Sequence, residues 1–226
     1  QNQSKHFIKD ISIYERSYTK AFHQFYGNIE DYCVLAFLPS YLERKGSSLI
    51  YMIDDLIKKS NHSESGFFLQ NESEMIDLLQ KMIKSDQKTI LFGVSFALLD
   101  LAEKYKIDLG SIIIMETGGM KGRRKELTRT ELHNIYKKSF NVSVIHSEYG
   151  MTELLSQAYS NGNGIFKTPN WMKILIRDIN DPFQLIEHEK TGGINIIDLA
   201  NIDSCSFIAS QDLGKKINDI EFEVLG

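Results

Sequence analysis

Residues 89–115 read TILFGVSFALLDLAEKYKIDLGSIIIM. TILFG is a short apolar run, SFALLDLAEKY has a helical pattern, and SIIIM is a second apolar run rich in β-branched residues. Two such runs separated by one helix predict a βαβ unit, in which the strands lie parallel and the helix crosses between them. Runs that are apolar throughout, rather than alternating, predict strands covered on both faces.

The same alternation extends outward in both directions. Upstream, 9–26 is helix-like, DYCVLAFLP (31–39) is an apolar run closed by proline, SSLIYMIDDLIKK (47–59) is helix-like and SGFFL (65–69) reads as a short strand. ESEMIDLLQKMIK (72–84) places Met75, Leu78, Leu79, Met82 and Ile83 on one helical face. Downstream, 127–139 reads as a helix that Thr128 and Glu131 open as a capping box, and NVSVIH (141–146) reads as another strand. Beyond about residue 164 the texture changes to WMKILIRDI, GGINIIDLA, SFIAS and IEFEVLG, strands joined by turns. The predicted fold is α/β: a mostly parallel sheet with flanking helices (1–163), and a smaller antiparallel β lobe at the C-terminal end (164–226).

Composition narrows the function. With 226 residues, 42% hydrophobic and 25% charged, the chain carries enough apolar surface for a folded core. A net charge of -4 gives no global field for nucleic acid or an anionic membrane, so any anion must be bound locally. No apolar run approaches the ~18 residues of a membrane span. Cys33 and Cys205 have no metal-ligand spacing, which points to a reducing, cytoplasmic setting. The histidines at 6, 23, 62, 133, 146 and 188 show no zinc-ligand spacing either.

In an open α/β sheet, ligands bind beyond the carboxyl ends of the strands. Three loops qualify. ETGGMKGRRKE (116–126) follows SIIIM; Gly118 and Gly119 would let backbone approach a flat ligand or simply turn the chain, and Lys121, Arg123, Arg124 and Lys125 read as a solvated loop. SEYGMTE (147–153) is expected to lead from a strand into a helix, so that the N–H groups after Gly150 and the Thr152 hydroxyl could hold a phosphate at a helix N-terminus. Glu153 suits that place if Mg²⁺ lies between it and the phosphate, and Tyr149 offers a ring for a base; a plain helix cap fits the same residues. In SQDLGKK (210–216), Asp212 is either a turn residue or a carboxylate for a ribose diol.

Tyr149-Gly150-Met151-Thr152-Glu153 resembles the Y-G-x-T-E signature of the adenylate-forming enzymes. LPSYLERKGSSL (38–49), METGGMKGRRKELTRTELH (115–133) and SEYGMTELLSQAY (147–159) together resemble its acyl-protein synthetase branch, the fatty-acid–protein ligases of bacterial bioluminescence systems and their relatives. The resemblance implies activation of a carboxylic, here fatty, acid by ATP to an acyl-adenylate, then acyl transfer to a thiol of a protein, a carrier or coenzyme A. It implies that Gly118 and Gly119 line the adenine, Tyr149 stacks on it with Gly150 and Met151 beside it, Thr152 meets the α-phosphate, Glu153 holds Mg²⁺ and Asp212 binds the ribose. Ser4-Lys5 matches the tail of the family's phosphate loop, which puts Lys5 with Thr152 and Glu153 among the catalytic residues. The chain is expected to begin just after that loop and to stop before an Arg-containing hinge and a small lobe carrying the acceptor cysteine. Ser40, Tyr41, Gly93, Ser95 and His146 are expected on the acyl side. A non-catalytic AMP-binding scaffold that docks an acyl-carrier or reductase partner is the alternative; a Rossmann domain is disfavoured because no G-x-G-x-x-G follows the first strand.

Overall fold

Parallel pairing of β-branched runs is the organising feature of the computed structural model, which describes residues 4–39, 46–69, 71–119, 127–187 and 189–225. The chain divides into two compact units, Tyr26–Glu148 and Gln1–Phe25 with Tyr149–Gly226. The first helix, α1 (Ile11–Tyr26), belongs almost wholly to the second of these and is described with it.

In the Tyr26–Glu148 unit, β1 (Cys33–Phe37), α2 (Ser48–Ser60), β2 (Gly66–Phe67), α3 (Glu72–Lys84), β3 (Thr89–Val94), α4 (Ser95–Lys104), β4 (Ile113–Thr117), α5 (Arg129–Phe140) and β5 (His146–Tyr149) follow in turn. The strands lie side by side in the order β2-β1-β3-β4-β5, all parallel. Every residue of β1 and β3 is buried, as strands covered on both faces require. The register brings the strand ends level: Val94 lies opposite Thr117, and Thr117 opposite Glu148. On α3 the buried face is Met75, Leu79 and Met82, with Leu78 and Ile83 half-buried at its margin.

Helix ends follow the side chains. Ser47 caps α2 by accepting from Ile50 N at 3.4 Å, and α5 opens on the capping box of Thr128 and Glu131. Asn61 and Asn141 close these two helices in the left-handed conformation. That closure corrects the strand expected at 141–146. Asn141 is spent ending α5, so the strand begins at His146, opposite Met115, and SEY of the SEYGMTE segment lies within it.

The other unit is β-rich. β6 (Ala158–Ser160), β7 (Ile165–Lys167), β8 (Met172–Arg177), β9 (Thr191–Asp198), β10 (Phe207–Lys216) and β11 (Glu221–Val224) pair antiparallel in the order β6-β7-β11-β10-β9-β8. The residues at 161–164 form the turn between β6 and β7. Alternate residues of β8 and β9 face a core of Tyr149, Leu154, Phe166, Ile174, Ile176, Ile194, Ile196 and Phe222. α1 belongs to this unit through Ser17, whose hydroxyl meets Ser156 Oγ at 3.0 Å and accepts from Trp171 Nε1 at 3.1 Å. Among the described residues no helix is long and apolar enough to cross a membrane.

Candidate functional site

The segment Gly150–Gln157 does not form the helix that the sequence suggests. It turns instead: Leu154 N donates to Met151 O at 3.1 Å, putting Thr152 and Glu153 at the tip. The reason is Asp198. Its fully buried carboxylate accepts from Leu155 N at 2.9 Å, Ser156 N at 3.0 Å and Ser156 Oγ at 2.6 Å, taking the donors that would have opened a helix. Ala200 N also donates to it at 3.1 Å, so Asp198 joins this loop to the end of β9.

Thr152 is exposed and Glu153 half-buried. The Glu153 carboxylate accepts from the Ser4 hydroxyl, and its backbone carbonyl accepts from Asn201 Nδ2 at 2.6 Å. Asn201 Oδ1 in turn meets His6 Nε2 at 3.1 Å. The segment carrying the exposed Lys5 is thus fastened beside the acidic tip of the loop.

Tyr149 and Asp212 come together. The phenol donates to Asp212 Oδ2 at 2.6 Å, and the ring, 9% exposed, makes edge contacts with Phe166 and Phe222 at 6.0 Å each. Burial raises the Tyr149 hydroxyl far above its ordinary value, and the neighbouring carboxylate raises it further, so it remains a donor. Asp212 stands on an irregularity of β10. Ala209 pairs with Asn195 and Leu213 with Gly193, so Ser210, Gln211 and Asp212 stand opposite the single residue Ile194. Such a bulge re-aims a side chain, here the one carrying the candidate ribose ligand.

In the α/β unit, the loop after β4 begins with Gly118 at φ +68°, a conformation that L side chains rarely adopt. A Cβ on Gly119 would meet nothing within 4 Å, so its backbone borders open space. Lys121, Arg123, Arg124 and Lys125 lie outside the described residues, as do Ser40 and Tyr41. Gly93 has a packing reason for lacking a side chain: a Cβ would lie 2.5 Å from Leu98 Cδ2. Ser95 is buried, donating to Glu116 Oε1 at 2.8 Å and to Gly118 O at 3.1 Å. His146 is half-buried, its Nδ1 lying 3.1 Å from Tyr26 Oη.

No spacing in the sequence signals the buried polar cluster at these strand ends. Glu116 Oε2 meets His133 Nε2 at 2.8 Å and accepts from Ser147 Oγ at 3.2 Å, while Tyr136 Oη donates to Ser95 O at 2.6 Å. Burial opposes ionisation of Glu116, but the hydrogen bond and charge of His133, helped by Ser95, outweigh it and hold the carboxyl below its ordinary value. On the neighbouring strand β5, Glu148 has the opposite environment. Burial, only partly offset by a hydrogen bond from Thr117, pushes it up to about 7. Cys33 is buried in β1, which pushes its thiol up to about 11 and keeps it protonated. A single carboxylate, Glu153, fits a Mg²⁺ ion that retains waters and takes phosphate oxygens; no group of three metal-ligating side chains occurs among the described residues.

The fold, parallel strands with flanking helices plus an antiparallel part, matches that of the adenylate-forming enzymes. Solved structures with this architecture include ATP-bound MatB from Rhodopseudomonas palustris, with a TM-score of 0.67 and 12% identity over 95% of this chain and 44% of that one. O-succinylbenzoate coenzyme A synthetase from Bacillus subtilis, in complex with ATP and magnesium ion, has a TM-score of 0.60 and 20% identity over 94% of this chain and 45% of that one. The luciferase-like enzyme from the nonluminescent Zophobas morio mealworm has a TM-score of 0.60 and 15% identity over 95% of this chain and 53% of its own. The chain therefore spans about half the length of the structures it matches. No protein-family model and no curated protein matches it.

Proposed function

We propose that this chain supplies the nucleotide-binding part of an acyl-protein synthetase-like ligase, which activates a fatty acid with ATP to an acyl-adenylate and passes the acyl group to a protein, carrier or coenzyme A thiol. The observation that carries the reading is the pairing of Tyr149 with Asp212, 63 residues apart, beside the Y-G-x-T-E loop. The similarity to structures bound to ATP, or to ATP and magnesium ion, supports it at the level of the fold.

In this reading Asp212 accepts the ribose hydroxyls, and the phenol of Tyr149 fixes which way that carboxylate points. The Tyr149 ring, with the backbone of Gly150 and Met151 and that of Gly118 and Gly119, serves the adenine. Thr152, exposed at the loop tip, donates its hydroxyl to the α-phosphate. Attack of a carboxylate on the α-phosphorus brings two anions together, so catalysis depends on charge placed in advance. Mg²⁺ held by Glu153 would supply positive charge to the phosphates. Lys5, on the segment that Ser4 fastens to Glu153, would add a second cation. His146, with Ser95 and Gly93, is assigned to the acyl side, together with Ser40 and Tyr41. A cytoplasmic setting suits ATP and a free thiol acceptor.

Calorimetry with AMP tests the assignment. Asp212→Ala should weaken binding with or without Mg²⁺, whereas Glu153→Ala should weaken only the Mg²⁺-dependent component. Unchanged affinity in both variants would remove the site.

A further inference from the structure

Arg177, the last residue of β8, lies on the face of that strand opposite its buried core residues. Its guanidinium reaches across β9 to β10: one nitrogen donates to Ile194 O at 2.8 Å and to Asn195 Oδ1 at 2.7 Å, the other to Ser210 O at 2.6 Å. The path over β9 is kept clear by Gly193, where an added Cβ would lie 2.4 Å from the guanidinium carbon. These acceptors are neutral, so the arrangement uses the planar fork of arginine for geometry rather than for an ion pair.

What the fork grips is the bulge that carries Asp212. Ser210 is its first residue, and the extra residues of a bulge are left out of the ladder, so the Ser210 carbonyl needs a donor from elsewhere. Arg177 provides it. The Ser210 hydroxyl then donates to Ile194 O at 3.1 Å and accepts from Asp212 N at 3.2 Å. A continuous series of hydrogen bonds therefore runs from Arg177 through Ser210 to the backbone of Asp212, whose carboxylate meets Tyr149.

We infer that Arg177 is a positioning residue for nucleotide binding, fixing the Ser210–Asp212 bulge so that the Asp212 carboxylate is aimed at the ribose diol. The inference rests on the proposed AMP site. Removing Arg177 would leave every nucleotide ligand in place but release the carboxylate that reads the diol, so its effect depends on whether the nucleotide has one.

The test compares AMP with 2′,3′-dideoxy-AMP on the full-length protein, by calorimetry, for wild type, Asp212→Asn, Arg177→Met, Arg177→Lys and the Arg177→Met/Asp212→Asn double variant. Arg177→Met should weaken AMP binding about tenfold or more, on the scale of one hydrogen bond to a charged group. It should leave dideoxy-AMP unchanged and have no further effect in the Asp212→Asn background, and Arg177→Lys should recover part of the loss. Gly193→Ala, which pushes a methyl group into the guanidinium while keeping every charge, should reproduce the same ligand dependence should Arg177→Met fail to fold. Equal losses for both nucleotides, or additive losses in the double variant, would overturn the role of Arg177 while the Asp212 result upholds the site. Asp212→Asn that leaves the preference for AMP over its dideoxy analogue intact would overturn the site and this inference with it.

Discussion

Tyr149 and Asp212, at the end of β5 and on the bulge of β10, are joined by a 2.6 Å hydrogen bond from phenol to carboxylate. One of these residues is a core aromatic packed against Phe166 and Phe222, and the other is half-exposed. The bond thus transmits the rigidity of the core to a carboxylate at the surface.

Tyr149→Phe removes that bond without changing the shape of the core. The variant should lose about 1 kcal/mol of stability and bind AMP several-fold more weakly, because the Asp212 carboxylate is no longer held. Thermal denaturation and calorimetry on the same sample check both effects; unchanged AMP affinity would show that the phenol has no part in aiming Asp212.

Glu148 should make stability depend on pH. Its carboxyl is pushed up to about 7 in the folded chain, above its value when unfolded. Between about pH 4.5 and 7 the unfolded state releases the proton that the folded state retains, so this group makes stability fall as pH rises, by at most about 1.4 kcal/mol per pH unit, and the fall levels off above 7. Glu148→Gln should flatten that part of the curve and be the more stable protein at pH 8. Denaturant titrations of the two proteins from pH 5 to 8 would show parallel curves if the reasoning is wrong.

Asp198→Ala should leave the Leu155 and Ser156 amides buried without acceptors, at a cost of about 3 kcal/mol or more. The loop tip should then become the first site of proteolysis. Limited digestion with the cut sites mapped by mass spectrometry measures this; cleavage elsewhere would mean that Asp198 is not what holds the loop.

The two glycines after β4 should respond differently. Gly118→Ala forces a side chain into φ +68° and should cost about 1 kcal/mol of stability, whereas Gly119→Ala, facing open space, should cost almost none. Both should weaken AMP binding if their backbone serves the adenine. Loss of stability with no loss of affinity in either variant would reduce ETGG to a turn.

The parallel half of the fold was legible because its strands are unbroken apolar runs and its helices carry their caps in the sequence, as Thr128 and Glu131 do. The loop at Gly150–Ser156 was misread as a helix start because Thr and Glu after a glycine are good first-turn residues, and local preference says nothing of a carboxylate 40 or more residues away; Asp198 decided the matter. Its only local trace is an aspartate at the end of an alternating strand, before a turn. Arg177 and Glu116 were silent for the same reason. Each acts through partners on other strands, and only the register brings those together. Asp212 was noticed in a turn-like stretch, but it belongs to a strand, and the bulge that turns its side chain has no signature in SQDLG.

The most direct test of acyl-adenylate formation is ATP–pyrophosphate exchange by the full-length protein across a panel of fatty and aromatic acids, with Glu153→Ala as the control. Exchange that depends on a fatty acid and is lost in the variant is the predicted result. AMP binding without exchange for any acid would contradict the ligase and leave a nucleotide-binding scaffold in its place.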